Sequence, residues 1–513
     1  MEDKKIKTLS ENVENSEQNT ADLEQALSLV GIGWYNLKYC LVLALFLISA
    51  IVEPIGYSYV LPAAKCDLHM TDAQRGIIAS IPYIGIVVTS FPWGYLVDTR
   101  GRKKVIIASS LTVGAFGLLA GFMPELISFT IFKTLGALCL ACPAAVPYTY
   151  IGEIIPQRHR DIILSVTNSL QILGSALVPL LGYGILPLEF RTSFGAYDFR
   201  SWRLLSIVYS SMFILAAFLL SFGPESPKYL VSQGKYDDAL KILQYMYAGN
   251  KRKSPDVFPI KKLKVIPINE EEKPSFLQSL KLQTVPLLRR PYLKWLALNG
   301  FLLFGICSAL NGLYMWVPDV LNRVLTGGGG GLTACGVIGQ RFNETVDETI
   351  CDDTIDTMTF IINSIANVSC AFIALAISLS VKFLGKKVLV ILVYIVLGTF
   401  CVLINHVTQD MLFAVLLSSL ALTGLAIGPV NAFSVEIFPT NLRGMAVSLT
   451  MMVGRTGSII GTNAAGVMIN TVCEATFYTF GGLLILCGLA SFLLPKSKSN
   501  PPTIKTVTDT THL

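Results

Sequence analysis

Three charged residues stand in stretches that otherwise carry almost none. Arg455 sits in Gly454-Arg455-Thr456-Gly457 near the centre of one apolar run, Glu53 precedes Pro54 and Gly56 in a second, and Lys133 lies in a third. A charge inside a bilayer is costly and is kept where it meets a partner or lines a wet cavity, so the three are candidates for function. A guanidinium at mid-depth can grip an anionic group with two parallel hydrogen bonds, or it can pair with a carboxylate of the bundle. Glu53 and Lys133 can neutralise one another, Glu53 can carry a proton or couple an ion, and either can touch a solute. Asn311 and Asn431 are hydrogen-bond candidates for the same solute or for a neighbouring helix. Tyr314 and Trp316 can form an outer gate or stacking face, or an interfacial aromatic belt.

A second set of charges lies at the ends of apolar runs, and it repeats. Glu153 and Glu436, and Arg160 and Arg443, are both 283 positions apart, with Pro156 and Pro439 between them. Gly101-Arg102-Lys103 is answered by Gly385-Lys386-Lys387 at an offset of 284. Two markers at nearly one offset imply a duplicated chain whose halves rock around a central site. Asp98 with Arg102, then Glu153 with Arg160 and Glu436 with Arg443, are expected to latch the halves on the inner side; the alternative is that they only fix topology.

These residues need a scaffold of buried helices. Of the 513 residues 52% are hydrophobic and 14% are charged, with mean hydropathy +0.59. A soluble domain carries about 25% charged residues. Runs of about 20 apolar residues, the length that crosses a bilayer, recur twelve times, at about 39–60, 76–97, 105–123, 127–150, 162–186, 203–222, 292–317, 358–381, 387–405, 411–432, 445–468 and 475–494. Lys and Arg gather in alternate connections, as cytoplasmic loops require, which accounts for the net charge of +6 without a nucleic-acid partner and puts both termini inside. The expected architecture is an all-α membrane protein of two six-helix bundles, 38–222 and 292–494. A cytoplasmic tail (1–37) precedes them, a cytoplasmic loop (223–291) joins them, and a cytoplasmic tail (495–513) follows. The 224–241 part of the loop, with Tyr236, Leu240 and Leu243 at helical spacing, is expected to be a short amphipathic helix at the inner surface.

The outer loop 318–357 carries the sequon Asn343-Glu344-Thr345, usable on the luminal or extracellular side. It also holds Cys335 and Cys351, which an oxidising compartment would let pair. The sequon at Asn367 falls within a span and is expected to stay unmodified. No His or Cys cluster has metal-ligand spacing and no Walker loop is present, so neither a metal nor a resident cofactor is expected beyond a coupling proton or ion. Nor is there a nucleophile with its base, which argues against an enzyme.

Gly94-Tyr95-Leu96-Val97-Asp98-Thr99-Arg100-Gly101-Arg102-Lys103 resembles the signature between helices two and three of the major facilitator superfamily. Pro224-Glu225-Ser226-Pro227-Lys228-Tyr229-Leu230 is similar to the motif after helix six in its sugar and organic-ion branches. Ala26-Leu27 with Gly31-Ile32-Gly33, and Glu436-Ile437-Phe438-Pro439-Thr440-Asn441-Leu442-Arg443-Gly444, resemble the synaptic vesicle glycoprotein 2 family. The resemblance covers about residues 26–494. It implies a monomeric carrier of a small organic solute working by alternating access, in the plasma membrane or a vesicle membrane. Arg455 points to an anion or zwitterion. Alternatives are a transporter-like protein of trafficking or partner binding, or a hexose facilitator; span seven lacks the paired glutamines of hexose carriers. Lys382 stands where a second Asp98 would be expected, and the outer loop is short beside the large luminal domain of the vesicle glycoproteins.

Overall fold

Long apolar segments have no water to satisfy their backbone in a membrane, so they close their hydrogen bonds internally as helices. The computed structural model describes residues 20–188, 190–194, 197–264, 276–327, 332–343 and 354–495. Among them eleven helices are long and apolar enough to cross a membrane: Trp34–Ala64, Asp72–Arg100, Arg102–Gly121, Leu126–Ile154, Gln157–Ile185, Ser201–Ser221, Tyr292–Thr326, Thr357–Ile377, Lys386–His406, Asp410–Ile437 and Cys473–Ser491. The remaining expected span is the 32-residue helix Thr440–Thr471. Its run of Arg455, Thr456, Gly457, Ser458, Thr462 and Asn463 dilutes its hydropathy. Sequence signals set the boundaries: Thr71 and Gln74 form a reciprocal cap at the second span. Gly101 (φ 102°) and Gly385 (φ 80°) turn the chain at the repeated marker.

By contacts the chain divides into two units, Met1–Lys273 with Glu348–Ala371 and Pro274–Asp347 with Phe372–Leu513. The first unit holds the first six spans and the beginning of the eighth. Its core runs without interruption from Phe46, Val97 and Ile151 inside the bundle to Leu27, Val30, Leu243, Met246 and Phe258 in a layer at one end of the bundle. That layer contains the helices Leu23–Val30, Pro227–Ser232 and Tyr236–Lys251, and a parallel pairing of Thr20–Ala21 with Lys262–Leu263. The expected polar tail therefore includes an ordered amphipathic helix, started by an Asp22/Gln25 capping box. In place of the single amphipathic helix expected over 224–241 there are two helices, Pro227–Ser232 and Tyr236–Lys251, the second running ten residues further. A small antiparallel hairpin, Thr192–Phe194 with Tyr197–Phe199, lies between spans five and six.

The second unit has its own core around Leu302, Ile306, Val390, Tyr394, Phe433 and Leu484. Its seventh span continues to Thr326, further than hydropathy suggests, because Val317–Thr326 is strongly amphipathic and buries Val320, Leu321 and Val324. Cys335 forms a disulfide with Cys473, at the start of the last span. This corrects the expected Cys335–Cys351 bridge: closeness in one loop is no measure of closeness in space, and here the helix Ala334–Asn343 lies beside the last span. Cys351 lies outside the described residues. Cys66 is also disulfide-bonded.

Spans seven and eleven approach closely along a glycine stripe. A Cβ on Gly457 would stand 2.5 Å from the Phe304 carbonyl oxygen, and one on Gly461 2.7 Å from that of Ser308. At this contact span seven loosens into a wide turn, Ser308–Gly312, then tightens into a 3₁₀ turn, Leu313–Trp316. Overpacking such a contact costs about 1–3 kcal/mol. Gly461→Val should therefore lower the thermal unfolding midpoint of the purified protein by several degrees, whereas Gly482→Val, with no atom within 4 Å of its added Cβ, should leave it nearly unchanged.

Candidate functional site

Glu53 and Lys133 are both buried, and Lys133 Nζ donates to Glu53 Oε1 at 2.7 Å. Glu53 is carried into the first bundle by the long first span, and Lys133 comes from the first half of the fourth, Leu126–Ile154. The second carboxylate oxygen accepts from Ser210 Oγ of span six at 3.4 Å, and Tyr57 is a further hydrogen-bonding neighbour. The ammonium lies 5.1 Å from the centre of the Tyr57 ring and 5.9 Å from that of Phe129, within cation–π range. A small cavity beside the pair is lined by Glu53, Tyr57, Phe132, Lys133 and Leu140. Mutual pairing was one of the alternatives open for these two residues; Tyr57 and Ser210 were missed, although Tyr57 lies one helical turn after Glu53.

In the second unit Arg455 lies half-buried at the middle of Thr440–Thr471. Asn311 Nδ2 donates to Ser458 Oγ at 3.0 Å, and Thr462 Oγ1 donates to the Asn311 carbonyl oxygen at 3.0 Å. Trp316 Nε1 donates to the Thr462 carbonyl at 3.0 Å, with its ring against Gly466. Of the two expected roles for Asn311, the structure displays the helix-to-helix bond. Trp316 and Tyr314 are buried rather than belt-like. Asn431 Nδ2 donates to the Met451 sulfur at 3.5 Å, and its buried side-chain carbonyl oxygen accepts no hydrogen bond among the described residues.

At the end of the first bundle where spans two and four finish, Arg102 reaches both Asp98 and Glu153, each at 3.1 Å, and lies over the Tyr229 ring. Glu153 also accepts from Ser226 Oγ. Glu225 accepts from the backbone nitrogens of Lys103 and Ser226, and Lys103 Nζ donates to the Ser221 and Gly223 carbonyls. Arg160 pairs with Glu24 of the N-terminal helix at 3.4 Å, not with Glu153 of its own motif. The second unit repeats the scheme. Lys386 pairs with Glu436, and Lys387 Nζ donates to the Phe492 and Leu494 carbonyls that close the last span. The duplicated sequence marker is thus also a duplicated contact. Arg443, like Arg160, has a buried Nε without a hydrogen bond among the described residues.

One charged cluster had no forecast. Asp67, just beyond the first span, accepts from the buried Arg203 at 2.9 Å and from Trp202 Nε1 at 3.1 Å, and Arg203 also donates to the Met123 carbonyl. Asn343 closes the helix Ala334–Asn343. Asn367 is buried, donating to Asn363 and accepting from Ser175, which leaves it out of reach as a sequon.

The family model for the Major Facilitator Superfamily matches residues 40–341 and 353–512. Synaptic vesicle glycoprotein 2C of Mus musculus is 28% identical over 261 residues, 50% of this chain and 36% of the relative. Synaptic vesicle glycoprotein 2A of Homo sapiens is 25% identical over 336 residues, 60% of this chain and 44% of the relative. The matches thus span less than half the length of these relatives. The inward open structure of the xylose transporter XylE from E. coli superposes with a TM-score of 0.65 at 15% identity, covering 91% of this chain and 98% of that one. A D-xylose-proton symporter structure gives 0.64 at 15% identity, over 91% of this chain and 100% of that one. At such identity the likeness speaks for the fold.

The repeated ion pairs differ in burial. The Arg102 and Glu153 side chains are 14% and 9% exposed, and those of Lys386 and Glu436 are 36% and 40%. An exposed pair is worth about 0–1 kcal/mol, whereas removing a buried partner costs about 3–5 kcal/mol. Thermal unfolding should accordingly show a clear loss for Glu153→Gln and a loss several times smaller for Glu436→Gln.

Proposed function

The chain belongs to the Major Facilitator Superfamily, and on that premise we propose that it is a secondary active or facilitative carrier of a small organic anion or zwitterion. It is an integral multi-pass membrane protein with a transporter fold, not an enzyme. The observation that carries the solute class is Arg455. A half-buried guanidinium at the midpoint of a span rich in Gly, Ser and Thr can hold a carboxylate, sulfonate or phosphate through paired hydrogen bonds. A neutral sugar has no need of it.

Alternating access supplies the movement, and the inner charge network supplies the latch. Asp98, Arg102, Glu153 and Arg160 brace one repeat, and Glu436 and Arg443 the other. The Glu53–Lys133 pair is the seat of coupling in this reading. Glu53 holds Lys133 at 2.7 Å, and a proton or ion taken up at this pair would loosen that contact. A proton can thereby be exchanged for a local rearrangement of spans one, four and six. The protein works in the plasma membrane or a vesicle membrane with both termini cytoplasmic.

Uptake of labelled organic anions, zwitterions, cations and hexoses into cells expressing the protein tests this reading, with Arg455→Ala and Glu53→Gln at matched surface abundance. An anion or zwitterion should accumulate with the unaltered chain and fall at least about tenfold with Arg455→Ala, since a charge-assisted bond is worth about 1.5–3 kcal/mol. Glu53→Gln should abolish the dependence of uptake on a pH gradient. Hexose uptake insensitive to Arg455→Ala would overturn the solute class.

A further inference from the structure

The helix Tyr236–Lys251 ends against the first turn of the first span. Asn250 Nδ2 donates to the Gly31 carbonyl at 3.2 Å and bonds the Asn36 side chain, which in turn donates to the Ile154 carbonyl at 2.9 Å. A Cβ on Gly249 would meet the Tyr35 ring at 2.7 Å, and one on Gly33 would meet the Asn250 Cα at 2.8 Å. These contacts fix the next three residues, Lys251, Arg252 and Lys253, at the level where the membrane-crossing helix begins. Arg252 takes the left-handed conformation (φ 55°) that ends the helix, and all three side chains are exposed. No ion pair among the described residues uses any of them.

The neighbouring surface is apolar. Trp34, the first residue of the span, is 71% exposed, and Leu29 and Ile32 are exposed beside it. Lys251 Nζ lies 3.6 Å from where a Cβ of Gly31 would stand, so cation and apolar patch adjoin. An exposed indole belongs at the boundary between hydrocarbon and headgroup, and cations next to it meet whatever charge the headgroups carry.

We propose that Lys251, Arg252 and Lys253, with Trp34 as the apolar anchor, bind the headgroup of an anionic lipid in the leaflet at which the first span starts. The site would tie the inner layer to the bilayer. Because Asn250 also holds Asn36 and, through it, the end of span four, lipid bound there would steady the inner ends of two spans. A soluble polyanion would satisfy the cations but leave Trp34, Leu29 and Ile32 in water, so the apolar rim favours lipid.

The full chain, reconstituted into nanodiscs of 80% phosphatidylcholine and 20% phosphatidylserine and released for native mass spectrometry, provides the test. Phosphatidylserine should be co-retained above its bulk ratio, and this enrichment should fall as salt rises. Each lost cation should reduce it by about fivefold, so the K251Q/R252Q/K253Q variant should show none. The charge-keeping K251R/R252K/K253R variant should retain it, as should K235Q/K241Q, altered elsewhere on the same helix. Equal unfolding midpoints in pure phosphatidylcholine discs establish that the variants are folded; if the triple Gln variant unfolds early there, R252Q alone, with about a fivefold loss, takes its place. Unchanged enrichment in a folded Gln variant would overturn the proposal. So would its loss in K235Q/K241Q, or full competition by inositol hexakisphosphate in solution, which would assign the site to a soluble polyanion.

Discussion

A charge withdrawn from water must find its counter-charge nearby, and this constraint organises the first bundle around Glu53 and Lys133. The pair is enclosed by Tyr57, Phe129 and Ser210, so spans one, four and six have to meet at one point. Close packing makes the meeting possible. Gly117 of span three lies so near Ser210 Oγ that a Cβ there would be 2.2 Å away, and Gly56 lies under the Tyr209 ring. Small residues thus bring the helices together, and the ion pair fixes which faces meet. In a membrane, where lipid is as apolar as a leucine side chain, packing and polar contacts of this kind choose the helix partners.

The same logic operates at the helix ends, where Arg102 and Glu153 are also largely buried. Arg102 and Lys386 play one part in the two repeats, as do Lys103 and Lys387, whose ammonium groups cap the carbonyl ends of spans six and twelve. A cation at a helix C-terminus satisfies carbonyls that no further turn can reach and meets the negative end of the dipole. The first repeat has gained an extra layer: Glu225 and Ser226 after span six, and Glu24 before span one, take up Lys103, Glu153 and Arg160. The repeats therefore share a scheme but not its depth.

Much of this was legible in the sequence because membrane helices announce themselves by length, and because charges are rare enough for their spacing to be read. Twelve spans, the 283-residue repeat and the Glu53–Lys133 pairing all follow from that scarcity. The disulfide partner of Cys335 was not legible: pairing depends on where a loop folds back, and Cys473 is 138 residues away. The N-terminal helix was readable in principle, since Asp22 and Gln25 form a capping box and Ala26, Leu27 and Val30 follow helical spacing. Charged residues around them hid it. Asn311 and Trp316 show the opposite problem. Their types fit solute binding and helix packing equally, and only the glycine stripe of span eleven opposite them tells which contact they make.

The central claim, that the interior pair holds the first bundle because each charge needs the other, is tested by a double-mutant cycle on stability. Glu53→Gln, Lys133→Met and the combined variant would be compared by thermal or denaturant unfolding of the purified protein. Breaking a buried pair from one side costs about 3–5 kcal/mol, whereas removing both charges costs much less. The account predicts that Lys133→Met is severely destabilised and that adding Glu53→Gln restores a large part of the loss. Strictly additive losses, or a Lys133→Met protein as stable as the unaltered chain, would contradict it.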